Sequence, residues 1–112
     1  VGRAHATVFA YAYTRVMYSV AILGASGYAG GELIRFVDSH PHFEASFLGA
    51  NRRSGEALAT VHPQLMGGDR VLQSFDVEHL SDMDLVFMAL PHGASGEPAM
   101  QLIGGKTKIV DL

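Results

Sequence analysis

The sequence predicts an α/β fold built on a doubly wound parallel sheet, incomplete within these 112 residues. Three observations carry that prediction. Short apolar runs alternate with amphipathic or turn-rich stretches, the pattern of strands joined by right-handed crossovers. The first run passes directly into a glycine-rich turn, Gly24-Ala25-Ser26-Gly27-Tyr28-Ala29-Gly30, which opens an amphipathic segment. The composition is 48% apolar and 17% charged, which supplies a core and is too apolar for a disordered chain.

Residues 1–16 stand apart. They hold Arg3 and Arg15, no acidic residue, and the run Ala6-Thr7-Val8-Phe9-Ala10-Tyr11-Ala12-Tyr13. A basic, acid-poor start suits a targeting leader. The tyrosines and the scarcity of serine suit it less, and an upstream extension, with Met17 as the natural start, is the preferred reading. Residues 17–112 are expected to form one domain.

Val20-Ala21-Ile22-Leu23 reads as a buried parallel strand that ends at Gly24. Glu32-Leu33-Ile34-Arg35-Phe36-Val37 reads as a helix with one buried face. Pro41 should end it, because proline disfavours helix at the preceding His40. A second strand is expected at Ala45-Ser46-Phe47-Leu48, followed by loop or short irregular elements from Gly49 to Gly68. Val71-Leu72 suits the start of a small strand, and Val77 to Leu80 suits either helix or strand. Asp84 to Leu90 reads as a further strong strand, stopped by Pro91. Ser95 to Ile103 reads as a helix with Glu97 and Pro98 in its first turn, closed by Gly104-Gly105. Lys108-Ile109-Val110 begins another strand, and the apolar run that meets Asp111-Leu112 is expected to lie inside a larger fold.

Composition also removes several function classes. The chain has no cysteine, so disulfides, thiolate metal sites and cysteine catalysis cannot arise within it. The net charge is −3 and the eight Lys and Arg form no long run, so no nucleic-acid footprint is visible. No stretch approaches the roughly 20 apolar residues of a membrane span. His5, His40, His42, His62 and His79 show no metal-ligand spacing, and no metal is expected. Asp82 and Asp84 read as ordinary turn acids, and Met83 and Met88 as core fillers.

Three segments are candidates for chemistry. In the glycine loop, Gly24 would make the tight turn out of the strand, Gly27 would admit a pyrophosphate to the backbone, and Gly30 would let helix and strand pack closely. The N–H groups around Tyr28 and Ala29 then face an anion at the positive end of the helix dipole, and Ser26 and Tyr28 add hydroxyls. The spacing is G-x-x-G-x-x-G, and its strand-to-helix context is what marks it as a Rossmann-type dinucleotide loop. The second candidate is Asn51-Arg52-Arg53-Ser54. An NAD site would place a carboxylate about 20 residues past the glycines. The window Phe47 to Ser54 holds no acid and two arginines, whose guanidinium forks suit the 2′-phosphate of NADP. The third is Ala89-Leu90-Pro91-His92-Gly93, at a strand's carboxyl end, where open α/β sheets bind ligands. Leu90 and Pro91 are assigned to the cofactor site, and His92 is read as a solvated loop residue before a catalytic one.

These motifs together resemble N-acetyl-gamma-glutamyl-phosphate reductase. The resemblance runs through Ser19 to Arg35 with its Gly27-Tyr28-Ala29-Gly30-Gly31-Glu32-Leu33, through His40-Pro41, Arg52-Arg53-Ser54-Gly55 and His62-Pro63-Gln64-Leu65, and through Asp84 to Gly93 and Lys108 to Leu112. It covers about Met17 to Leu112. It implies a cytoplasmic, homo-oligomeric enzyme of arginine biosynthesis that acts on a small acyl-phosphate substrate. A catalytic cysteine displaces phosphate, and NADPH reduces the resulting thioester to an aldehyde. This chain has no such cysteine and lacks the α+β catalytic domain, so it is expected to supply cofactor binding and no catalytic residue. Two alternatives stay open: a related aminoadipyl-phosphate reductase of lysine biosynthesis, and a non-catalytic nucleotide-binding fragment.

Overall fold

A computed structural model of the chain describes residues 16–91 and 105–112. The predicted extension before Val16, the helix expected at Ser95 to Ile103, and His92 and Gly93 lie outside the described residues.

Four strands form one sheet: β1 (Tyr18–Leu23), β2 (Phe43–Gly49), β3 (Leu85–Met88) and β4 (Lys108–Asp111). Their order is β2-β1-β3-β4, and every pairing is parallel. Both edges of β1 are therefore hydrogen-bonded, which accounts for the continuous burial of Val20, Ala21, Ile22 and Leu23. Successive side chains point to opposite faces. Val20 and Ile22 join Ile34, Val37, Leu48, Leu58 and Leu72 on one face. Ala21 and Leu23 join Phe47, Leu80, Val86 and Met88 on the other. The sheet has a core on each side, as the doubly wound expectation requires.

Helix α1 (Tyr28–Ser39) crosses from β1 to β2. Its buried residues Gly30, Gly31, Ile34 and Val37 recur at helical spacing, and Arg35, Phe36 and Asp38 face solvent. It stops where proline was expected to stop it. His40 is extended (φ −84, ψ 130) and its N–H closes on the Val37 carbonyl at 3.0 Å. The helix begins four residues before the apolar pattern starts, because the glycine loop itself supplies its first turn.

Two short helices follow, α2 (Leu58–Val61) and α3 (Val77–Leu80). The small strand expected at Val71-Leu72 reduces to isolated bridges, Ala57 with Val71 and Gly49 with Gln73. The strand expected from Asp84 to Leu90 is shorter than predicted. Asp84 lies just before it, its N–H on the Ser19 carbonyl and its carbonyl accepting from Lys108, each at 3.0 Å, while its carboxylate takes the Ser19 N–H and hydroxyl at 2.8 and 3.1 Å. At the other end Pro91 has no N–H to extend the ladder. Thr107, buried ahead of β4, sets its hydroxyl 2.8 Å from the Met83 carbonyl and ties that strand to the turn after α3. Among the described residues no buried side-chain polar atom is left without a partner, and no helix is long and apolar enough to cross a membrane.

Candidate functional site

The carboxyl ends of β1, β2 and β3 bring the glycine loop, the arginine segment and Ala89-Leu90-Pro91 to one edge of the sheet. Gly24 leaves β1 with φ +80, and its N–H and that of Ala25 both donate to the Gly49 carbonyl, at 2.9 and 3.0 Å. The glycine loop is thus pinned to the end of β2, from which Ala50 and Asn51-Arg52-Arg53 continue. On its other side a side chain at Gly24 would strike the Ala89 carbonyl, so the backbone of Ala89 and Leu90 lies directly against the loop. Pro91 follows, exposed.

The loop fits a dinucleotide's phosphates. A side chain at Gly30 would collide with the Gly24 carbonyl and come within 2.8 Å of the Ala25 Cα, so helix and strand meet too closely for any other residue. Gly27 is different. It is the N-cap of α1, is exposed, and a Cβ there would meet only the Gly24 carbonyl at an ordinary 3.6 Å. Neither packing nor backbone conformation inside the chain demands glycine at 27. The missing side chain leaves the helix end open and uncapped, since no side chain bonds the first-turn amides. Among the described residues, the N–H groups of Tyr28, Ala29 and Gly30 find no acceptor, whereas Gly31 already donates to Gly27 at 2.9 Å. Three unpaired donors at the positive end of a 12-residue helix form an anion cradle. Ser26 is half-buried beside it, and Tyr28 is 85% exposed, its ring free to lie along a bound ligand.

The arginine segment carries an internal partner. Arg53 is held side-on by Glu56, with Nε and Nη2 donating to the two carboxylate oxygens at 2.7 and 2.9 Å. That contact holds the Arg53 guanidinium above its ordinary pKa and the Glu56 carboxyl below the usual carboxylate range, in both cases chiefly through the side-chain hydrogen bond. Arg53 keeps Nη1 for another ligand. Arg52 is exposed and, among the described residues, enters no ion pair or hydrogen bond. Asn51 is exposed at the start of this turn. Glu56 falls two residues past the window that appeared free of acid in the sequence, and its three-residue spacing from Arg53 in a turn is the signal that would have found it.

One further residue reaches the glycine loop. His62 is buried, and its Nε2 lies 2.7 Å from the Ala25 carbonyl in the glycine loop. Among the described residues, no group of three or more His, Asp or Glu side chains gathers as a metal site would require.

The family described as semialdehyde dehydrogenase, NAD binding domain, matches residues 19–112. An N-acetyl-gamma-glutamyl-phosphate reductase of Salinispora arenicola is 56% identical over 93 residues, which are 83% of this chain and 28% of that relative. The reductase of Paenarthrobacter aurescens is 47% identical over 94 residues, 83% of this chain and 27% of the relative. Aspartate semialdehyde dehydrogenase from Candida albicans, solved with NADP, superposes with a TM-score of 0.70 at 25% identity, covering 85% of this chain and 29% of that one. The chain therefore spans less than a third of the length of the relatives it matches. A glycine loop, a parallel sheet and a family match that agree over the same residues place this chain in the semialdehyde dehydrogenase NAD-binding-domain family.

Proposed function

We propose that this chain forms the NADP-binding part of an enzyme that reduces N-acetyl-gamma-glutamyl phosphate to N-acetylglutamate semialdehyde. One observation carries the reading: the open N-terminus of α1 and the arginine turn after β2 share one sheet edge, a phosphate cradle next to cations. The relatives named as N-acetyl-gamma-glutamyl-phosphate reductases support the choice of substrate.

In this reading the pyrophosphate sits on the N–H groups of Tyr28, Ala29 and Gly30, with Gly24 making the turn out of β1, Gly27 leaving the approach clear and Ser26 adding a hydroxyl. Arg52 takes the 2′-phosphate, helped by the free Nη1 of Arg53, and Asn51 completes the turn around it. Glu56 orients Arg53 and leaves Arg52 as the stronger ligand. Leu90 and Pro91 form the wall facing the nicotinamide end. When bound, the dinucleotide supplies a hydride. Acyl reduction also breaks the carbonyl–phosphate bond and releases inorganic phosphate. The thiol that the family uses for this step lies outside these residues, because the chain has no cysteine.

The test is a titration of the full-length protein with NADPH and NADH, for wild type, Arg52→Ala and Arg53→Ala. A charge-assisted contact to phosphate contributes about 1.5–3 kcal/mol, so Arg52→Ala should raise the Kd for NADPH about 10- to 100-fold. Its Kd for NADH should move little, and Arg53→Ala should have the smaller effect. Equal losses for both nucleotides would refute the 2′-phosphate assignment.

A further inference from the structure

We infer that His62 is a positioning residue for the dinucleotide loop: its imidazole fixes the backbone on both sides of the phosphate-binding amides. The inference rests on the cofactor reading above and concerns a residue that touches neither phosphate nor nicotinamide in that reading.

His62 caps the end of α2, its own N–H donating to the Leu58 carbonyl at 2.8 Å. From there the ring reaches across 37 positions of sequence to the glycine loop. Nε2 sits 2.7 Å from the Ala25 carbonyl oxygen. A carbonyl can only accept, so Nε2 carries the proton. The same ring lies flat against Gly31, where a Cβ would come within 2.7 Å of Cε1 and 2.9 Å of Nδ1. The ring fills the space that any side chain at position 31 would need.

Ala25 and Gly31 bracket the loop. Between them lie the three amides of Tyr28, Ala29 and Gly30 that have no acceptor among the described residues. The orientation of those amides is set by where the loop leaves β1 and where α1 begins, and His62 holds both points through one rigid, 7%-exposed side chain. Space filling alone would not require a donor at this position. A short hydrogen bond to a loop carbonyl gives the ring a direction as well as a volume. Preorganised donors bind an anion with less reorganisation than donors that must first be ordered.

The experiment measures Kd in the full-length protein for two ligands that share the 2′-phosphate end, NADPH and adenosine 2′-monophosphate, which has no 5′-phosphate to reach the loop. His62→Leu removes the donor and keeps apolar bulk. It should weaken NADPH about tenfold, the scale of one lost hydrogen bond, and leave adenosine 2′-monophosphate within about twofold. His62→Gln places an amide N–H near the Nε2 position and should recover most of the NADPH affinity, whereas His62→Asn, too short to reach Ala25, should not. This polar pair decides the matter even where His62→Leu does not fold. Gly31→Ala should copy His62→Leu, because the new methyl displaces the ring. Unchanged NADPH binding in His62→Leu, equal weakening of both ligands, or no difference between Gln and Asn would overturn the inference while leaving the cofactor reading intact. Failure of the wild-type protein to bind either ligand would overturn both.

Discussion

At Gly24 the backbone adopts φ +80 with the Ala89 carbonyl pressed against it, and at Gly30 the neighbouring atoms are the Gly24 carbonyl and the Ala25 Cα. Any side chain at either position must displace main chain. Gly30→Ala should therefore destabilise the fold by about 1–3 kcal/mol, the usual range for overpacking, as read from urea unfolding. Gly27 has room, and its substitution separates stability from function. Gly27→Ser gives α1 the capping oxygen it lacks and should stabilise the fold by about a few tenths of a kcal/mol. That oxygen would compete for the amides assigned to the pyrophosphate, so NADPH binding should weaken as the melting temperature rises. A variant more stable and equally tight in binding would show that the ligand does not use this helix end.

Among the elements, the amino ends of β1 and β3 are clamped through Ser19 and Asp84. The Asp84 N–H donates to the Ser19 carbonyl at 3.0 Å, and the Asp84 carboxylate accepts from the Ser19 N–H and hydroxyl. The backbone N–H of Ser19 is the main cause that holds the Asp84 carboxyl below its ordinary pKa, followed by the Ser19 hydroxyl. A carboxyl lowered on folding stabilises the folded state above its unfolded pKa. That contribution is lost as pH falls below the ordinary aspartate value of 3.8 and through the lower folded one. Asp84→Asn should thus lower the melting temperature at pH 7, and the gap to wild type should close in acid below that range. A gap that stays constant with pH would mean that shape, and not the charge, makes the clamp. At β2 the ladder shifts by one residue: Val20 pairs with Ala45 and Ala21 with Phe47, so Ser46 is passed over. Phe43 and Ala45 pack on the α1 face, yet Phe47 lies on the opposite face and Leu48 returns to the first. An alternating strand would have put Ala45 and Phe47 together. The irregularity moves Phe47 to the face opposite Phe43 and Ala45 just before β2 delivers the arginine turn.

On the scale of the whole molecule, binding and chemistry separate. The chain holds the elements of a cofactor site and has no thiol, so the 112-residue chain alone should yield no aldehyde in a single-turnover assay with acyl phosphate and NADPH. Aldehyde formation would mean that reduction proceeds without a thiol in the chain. Among the described residues the sheet ends in β4, where Val110 is 39% exposed, and Leu112 just after it is 66% exposed. Exposed apolar edges favour strand pairing between chains. The isolated chain should sediment with a concentration-dependent rise in mass, and a monomer across the concentration range would show that this edge is adequately protected.

The sequence by itself determined the strand–loop–helix unit, the stop at Pro41, the parallel alternation and the arginine turn, because each is written in local pattern: apolar periodicity, glycine and proline positions, and neighbouring charges. It also pointed to the reductase family through short motifs in combination. What only the tertiary structure decided depends on residues far apart in the chain or on one-residue shifts of register. Ser46 is passed over where β1 pairs with β2, and Phe47 joins the core opposite Ala45. Val71-Leu72 forms isolated bridges and no strand, and Leu72 is held by backbone bonds to Gly55 and Glu56 and by burial in the α1-side core. Asp84 and Ser19, 65 positions apart, clamp the amino ends of β1 and β3. Arg53 acquires Glu56, and His62 becomes a support of the glycine loop because folding brings α2 against Ala25 and Gly31, a contact that no periodicity records.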